Sequence, residues 1–240
     1  MNLIADPNEK KFFATPRMPC PYLPGKLERK VFTELWGEDA EQLHDALAVA
    51  GFRRSQGIVY RPLCDGCTAC VPVRVRTEGF QPKKWMRRIS SKAAYLEVSE
   101  QSPTATAEQF QLFRQYLSWR HAGGSMMDMD FDEYRAMVED TPVVTSLIEF
   151  REPDGRLCGA CLTDVLTNGL SMVYSFFRPD LQNLSLGSAI ILWHIQRATE
   201  LHLDYVYLGY WIAESEKMAY KTRFTPMEAL KPEGWVLLAQ

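Results

Sequence analysis

Residues 143–177 read VVTSLIEFREPDGRLCGACLTDVLTNGLSMVYSFF, and this stretch decides the fold. Three apolar-rich runs follow one another here: Val143 to Arg151, Leu157 to Leu166 and Leu170 to Phe177. Each has the length and β-branched or aromatic content of a strand. A turn at Pro153-Asp154-Gly155 separates the first two, and Asn168-Gly169 is a hairpin signal before the third. Cys158 and Cys161 fall on the middle run. As strand residues three apart they are expected to face opposite sides and to pack rather than ligate.

Helical signals flank the strands. Upstream, Glu108 to His121 places Phe110, Phe113, Leu117 and His121 near one face and ends at Gly123-Gly124. Asp130 to Asp140 reads as a short acidic helix. Downstream come a loop, Arg178 to Leu186, a helix from Gly187 to His202, and a strand from Tyr205 to Leu208. A last helix is expected near Ser215–Arg223 and a terminal strand at Trp235–Leu238.

The first hundred residues follow another pattern. Pro7, Pro16, Pro19, Pro21 and Pro24 keep the start irregular. Leu27 to Trp36 alternates like a strand, and Asp39 to Gly51 reads as a capped helix with His44 at its surface or core edge. Strands at Gly57–Tyr60 and Val71–Arg76 enclose a loop in which Cys64, Cys67 and Cys70 are spaced C-x2-C-x2-C. Cys20 completes a four-thiolate set if Met18–Pro24 folds back onto that loop. Such thiols ligate zinc or an iron–sulfur cluster, or they pack as a knuckle of buried thiols. Gln81 to Ala94 carries Lys83, Lys84, Arg87, Arg88 and Lys92 with no acidic residue among them. Helical spacing puts pairs of these four apart on one side, the pattern of a phosphate-contact surface or of a solvated face.

The 240 residues suffice for one large domain or two modest ones. A net charge of −3 confines any nucleic-acid attraction to a local patch. No apolar run reaches bilayer length, and residues 1–7 lack the pattern of a signal peptide, so a cytoplasmic protein with reduced thiols is expected.

From Glu108 onward, the order helix, helix, three strands, loop, helix, strand, helix, strand resembles the N-acetyltransferase (GNAT) fold. Members of that fold bind acetyl-CoA pyrophosphate on backbone amides of an Arg/Gln-x-x-Gly-x-Gly/Ala loop at a helix N-terminus. Here the corresponding residues are Gln182-Asn183-Leu184-Ser185-Leu186-Gly187-Ser188. Ser185 replaces the first glycine, and its side chain hinders the close approach that a pyrophosphate needs.

Both halves together resemble the bacterial aminoacyl-tRNA–protein transferases of the aspartate/glutamate leucyltransferase type, relatives of the arginyltransferases. The resemblance rests on Cys20-Pro21-Tyr22-Leu23-Pro24, Gly51-Phe52-Arg53-Arg54-Ser55, Tyr60-Arg61-Pro62-Leu63-Cys64 with Cys67 and Cys70, and Arg120-His121. Further blocks are Thr163-Asp164, Tyr174-Ser175-Phe176-Phe177, Leu184-Ser185-Leu186-Gly187, Tyr207-Leu208-Gly209-Tyr210 and Met218–Phe224. It implies a mixed α/β (α+β) chain: a cysteine-motif N-terminal domain, residues 1–102, packed against a GNAT-like aminoacyltransferase domain, residues 103–240. It also implies transfer of leucine from Leu-tRNA to the α-amine of proteins beginning with Asp or Glu, which marks them for the N-degron pathway.

That reaction starts from an activated ester, so ATP and a covalent enzyme intermediate are not needed. It requires two held substrates, a proton acceptor and an oxyanion stabiliser. Asp164 is a candidate base or an interior salt-bridged aspartate, and His121 is the other candidate base. Tyr174, Tyr210 and Tyr220 are candidate donors to the oxyanion or the terminal ribose. Arg120, Lys221 and Arg223 are candidate readers of the acceptor's carboxylate, with Ser185 and Gly187 in the substrate loop. Lys83, Lys84, Arg87, Arg88 and Lys92 are the candidate tRNA contacts. Met126, Met127, Phe176 and Trp211 are candidate walls for the leucyl group. Two rival readings are a CoA-dependent N-acyltransferase and a non-enzymatic RNA-binding cysteine-knuckle protein.

Overall fold

The alternation across residues 145–177 produces three long neighbouring strands inside an eight-stranded mixed sheet. The computed structural model describes residues 10–120, 123–216 and 218–238, apart from the Ser125 side chain; His121 lies outside them. In chain order the elements are β1 (Phe13–Ala14), β2 (Met18–Pro19), β3 (Leu27–Glu28), β4 (Lys30–Glu34), α1 (Ala40–Val49), β5 (Arg53–Ser55), β6 (Ile58–Pro62), β7 (Val71–Arg76), α2 (Lys84–Ala93) and β8 (Glu97–Gln101). They continue with α3 (Ala107–Arg120), α4 (Phe131–Glu139), β9 (Thr145–Arg151), β10 (Leu157–Leu166), β11 (Gly169–Phe177), α5 (Leu186–Glu200), β12 (Tyr205–Trp211), β13 (Met227–Lys231) and β14 (Gly234–Leu237).

The large sheet runs β14-β13-β7-β12-β11-β10-β9-β8, and a smaller one runs β1-β4-β6-β5. From α3 to β12 the element order is the one that the resemblance to the GNAT fold implied. Residues before the boundary expected at 102 also build the large sheet: β7 sits between β12 and β13, and β8 forms the edge beside β9. The cysteine loop therefore joins one sheet to the other, leaving β6 in the small sheet and entering β7 in the large one.

Strand alternation sends successive residues to opposite faces, and both faces are covered. One face buries Val73, Met86, Ile148, Ile190, Ile195 and Val206 with α2 and α5. The other buries Phe113, Leu117, Tyr134, Leu147, Leu162 and Phe176 with α3 and α4. Each such side chain contributes about 1.5–3 kcal/mol by leaving water. Asp130 starts α4 with a capping box: its carboxylate accepts from the Glu133 amide at 2.9 Å, and Glu133 accepts from the Asp130 amide at 3.0 Å.

Three local expectations are corrected. Leu166 pairs with Gly169, so the hairpin turn is Thr167-Asn168, one residue earlier than the Asn-Gly signal. Gly169 instead opens β11, where a Cβ would come within 2.5 Å of the Tyr205 carbonyl on β12. Cys158 and Cys161 pack into the same cluster, because the β9–β10 register slips between Leu157 and Gly159 and cancels the expected change of face. Ser215–Arg223 is not an α-helix. Among its described residues the helical part is a short 3-10 turn, Ala219–Arg223, which Lys221 draws back onto β12.

The two sheets are joined by a buried ion pair. Arg54 of β5 grips Asp164 of β10 with both forks, Nε to Oδ2 at 2.7 Å and Nη2 to Oδ1 at 2.6 Å. Thr145 donates to Oδ1 at 2.8 Å, and His44 Nε2 lies 3.5 Å from Oδ2. Asp164 is 0% exposed. Removing one partner of such a pair strands a charge in the interior. Asp164→Ala is therefore expected to lower the unfolding free energy in urea by about 3–5 kcal/mol. The double replacement Arg54→Leu with Asp164→Leu should cost clearly less than the sum of the two single changes.

Candidate active site

β11 and β12 run parallel for three residue pairs only, from Gly169–Tyr205 to Ser171–Tyr207. The next residues of β12 slip register against β7 between Tyr207 and Gly209, and Gly209 adopts a φ of +74°. Past this point the carbonyls facing the gap have lost their strand partners, and buried carbonyls need donors. Two cations supply them. Arg53 Nη2 donates to the Met172 and Val173 carbonyls of β11 at 3.0 and 2.8 Å. Lys221 Nζ donates to the Leu208 and Tyr210 carbonyls of β12, both at 2.8 Å. Burial pushes the Lys221 ammonium down to about 7, and the nearby Arg53 guanidinium adds to the shift.

Arg53 and Arg54 are neighbours on β5, so one side chain enters the gap while the other holds Asp164. The sequence reading counted Arg53 in a block of the resemblance and kept it, with Arg54 and Arg61, only as a fallback for the acid pocket. Its signal was the adjacent Arg-Arg pair in a short strand, where alternation sends two cations to two different places.

A cavity of ≈ 260 Å³ is lined in part by Tyr220, the chain neighbour of Lys221. Tyr116, Trp119 and Arg120 of α3 line it, with Phe177 of β11, Leu181 and Leu186 from the following turn and helix, and Tyr220. The Tyr116 and Phe177 rings pack with centroids 4.9 Å apart. Burial pushes the Tyr116 phenol up to about 12 and raises Tyr174 and Tyr220 too, so all three stay neutral donors near pH 7.

The loop closing the cavity is shaped as the sequence suggested, by other means. Ser185 takes the left-handed conformation, φ 52° and ψ 48°, before α5 begins. The bend is kept without the glycine. At Gly187 a Cβ would sit 3.1 Å from the Phe177 ring, so this glycine makes room for the cavity wall. Lys92 of α2 reaches the same loop, donating to the Asn183 carbonyl at 3.1 Å. Lys83, Lys84, Arg87, Arg88 and Lys92 are all exposed. Arg223 stands over the Trp85 ring at 4.1 Å, which places it beside α2.

The other expected site residues are placed as follows. Asp164 is the interior salt-bridged aspartate described above and does not reach the cavity. The Tyr210 hydroxyl is engaged with the Gly51 and Tyr60 carbonyls, both at 3.1 Å. Phe176 is buried in the α3–α4 core, Met126 and Met127 pack at its edge, and Trp211 packs at the edge of the α2–α5 core. Cys20, Cys64, Cys67 and Cys70 line one small cavity, so the N-terminal segment does fold back onto the loop. Burial raises the Cys70 thiol to about 12, and the three other thiols add to that. As these side chains stand, no group of three or more His, Cys, Asp or Glu among the described residues is placed to hold a metal ion. Cys64 Sγ instead accepts from the Arg29 amide at 3.5 Å.

Two family profiles match the chain. "Arginine-tRNA-protein transferase, N terminus" covers residues 18–88, and "Arginine-tRNA-protein transferase, C terminus" covers residues 108–231. The chain belongs to the arginine-tRNA-protein transferase family. Relatives within this family are close over nearly their whole length. One from Paramagnetospirillum magneticum, named aspartate/glutamate leucyltransferase, is 53% identical over 224 residues, spanning 93% of this chain and 92% of its own. Another of that name, from Parvibaculum lavamentivorans, is 55% identical over 225 residues, spanning 94% and 93%. Among solved structures, L-PGS from Bacillus licheniformis aligns with a TM-score of 0.45 at 11% identity, covering 60% of this chain and 47% of its own.

In this transferase the glycine at 209 has a specific reason. A Cβ there would fall 2.0 Å from Arg53 Nη1. Gly25 has a similar φ of +73° but open space around it. Gly25→Ala should cost about 1–2 kcal/mol from backbone strain alone. Gly209→Ala should cost at least about 1 kcal/mol more, because it also expels Arg53 and leaves two buried carbonyls unpaired. Urea denaturation of the two variants measures the difference.

Proposed function

We propose that this chain transfers leucine from Leu-tRNA to the N-terminal α-amine of proteins beginning with Asp or Glu, marking them for the N-degron pathway. One observation carries the reading: an aromatic-walled cavity with the basic helix α2 strutted onto its closing loop. The names of the close relatives favour leucine over arginine as the donor residue.

The chain's own groups supply what the reaction requires. Tyr116, Trp119, Phe177, Leu181 and Leu186 offer the leucyl side chain an apolar wall, whose burial is worth about 1.5–3 kcal/mol. Tyr220, which lines the cavity and stays neutral, donates to the oxyanion that forms when the amine attacks the ester carbonyl, whereas Tyr174 packs against Phe113 on the α3–α4 side. Arg120 lines the cavity and pairs with the acceptor's carboxylate, which is costly to bury without a cation. Of the three cations considered for that task, Lys221 is turned back onto β12, and Arg223 joins the α2 surface. The phosphates of the acceptor stem lie along Lys83, Lys84, Arg87, Arg88, Lys92 and Arg223, leading the aminoacylated end over the loop and into the cavity. No described helix is long and apolar enough to cross a membrane, and substrates of this kind place the reaction in the cytoplasm.

Purified protein incubated with labelled Leu-tRNA and peptides starting with Asp, Glu, Lys or Ala should label only the first two. Acetyl-CoA binding without leucyl transfer would favour the N-acyltransferase reading, and RNA binding without peptide product the non-enzymatic one. Replacing Lys83, Lys84, Arg87 and Arg88 by Ala should weaken Leu-tRNA binding and flatten its salt dependence by about 0.7–0.9 per lost phosphate contact. Arg120→Met should raise the acceptor KM for Asp peptides at least about tenfold, equal to about 1.4 kcal/mol, with Leu-tRNA binding little changed.

A further inference from the structure

A second cavity, of ≈ 510 Å³, lies between the N-terminal segment and the cysteine loop. The segment contributes Arg17, Lys26 and Arg29 to its walls, and the loop contributes Asp65, Gly66 and Cys67. It shares Lys26, Leu27, Glu28 and Cys67 with the small cavity lined by the four cysteines, so the two adjoin.

Positive charge is concentrated here. Residues 10–30 hold Lys10, Lys11, Arg17, Lys26, Arg29 and Lys30 against Glu28 alone, although the whole chain carries −3. The β2–β3 ribbon pairs Met18 with Glu28, which brings Arg17 and Arg29 to the same end of it. The carboxylates of the cavity wall are already engaged: Arg17 holds Asp65, and Lys30 holds Glu28 at 3.0 Å. Among the described residues no carboxylate pairs with Lys26 or Arg29. Lys26 Nζ lies 3.9 Å from the Cys67 sulfur. Arg29 is half-buried, and the cysteine loop fixes its main chain. Its carbonyl accepts from the Leu63 amide at 2.7 Å, and its amide donates to Cys64 Sγ at 3.5 Å. A cation fixed at a cavity wall without an acid is a binding group for an anion.

We propose that this groove is a phosphate-binding site that holds a second stretch of the tRNA backbone, separate from the one along α2. The assignment deepens the leucyl-transfer reading and rests on it. Two features favour nucleic acid over an acidic protein segment. The cations alternate along the chain with exposed apolar groups, Phe12, Phe13, Met18 and Leu27, which are 50%, 47%, 50% and 56% exposed. Nucleotides bind such surfaces with phosphates on the charges and bases on the rings. At the loop, Gly66 has a φ of +64° and nothing within 4 Å of where a Cβ would stand. The backbone of that turn is therefore open to a phosphate, which a side chain would hold off.

The test uses the full chain and preformed Leu-tRNA, with affinity measured from about 50 to about 200 mM salt. Lys26→Gln combined with Arg29→Gln should weaken binding at least about tenfold at the lower salt. It should also reduce the salt slope by about 1.4–1.8, the share of two phosphate contacts. Phosphate-ethylation interference on the same tRNA should show two separate groups of sensitive phosphates with the wild type. One group should vanish when Lys83, Lys84, Arg87 and Arg88 are replaced by Ala, and the other in the Lys26, Arg29 double variant. Arg29→Lys keeps the charge without the fork, so it should keep most of the slope and the second group of phosphates. Should the double variant lose thermal stability, Lys26→Glu alone, at an exposed side chain, gives the same readout. An unchanged slope, or loss of the same phosphates in both variants, overturns the assignment. So does a raised acceptor KM with tRNA binding intact, which would give the groove to the acceptor protein. A wild-type chain that binds Leu-tRNA but yields no leucyl-peptide from an Asp-starting peptide sinks the transfer reading instead, and the groove is then judged by binding alone.

Discussion

Parallel strands β11 and β12 stay together for three residue pairs and then part, and the rest of the site depends on that parting. Backbone carbonyls cannot be left without donors in an interior. Here the donors are the ends of two long cationic side chains, brought from opposite ends of the chain. Arg53 serves β11 and Lys221 serves β12, so a gap in the sheet becomes a charged seam.

Much of the fold was legible because it is local. The strands of residues 145–177 and the helix that became α5 carry their own periodicity, and so does α2 with its basic face. β5 and β13 were missed for the opposite reason. β5 has three residues, two of them arginine, and is defined by pairing with β6 rather than by pattern. The segment near Ser215–Arg223 looked helical by composition, yet a tertiary contact through Lys221 decides its course.

The site was legible in its parts and not in its arrangement. Phe176 was expected in the leucyl wall and Phe177 was not, but strand alternation puts Phe176 into the α3–α4 core and Phe177 onto the cavity. Lys221 was read as a reader of acid, and its sequence neighbourhood contains nothing to say that its amine turns inward. Asp164 was read two ways, and Arg54, 110 residues away, decides between them. Cys20 was expected to meet the C-x2-C-x2-C loop by folding back, and the four cysteines line one small cavity, though no described group of three is placed to hold a metal ion.

The Arg53 contacts span 119 and 120 residues of chain. Loops of that length close late, because the entropy of closure precedes any reward from the contact. The cleft is therefore among the last features to appear as the chain folds, and it is complete only when both sheets have docked. A newly made or partly opened molecule can retain most of its large sheet and still lack the seam. Completion of the Arg53 contacts thus reports on finished tertiary assembly, in a way that secondary structure content does not.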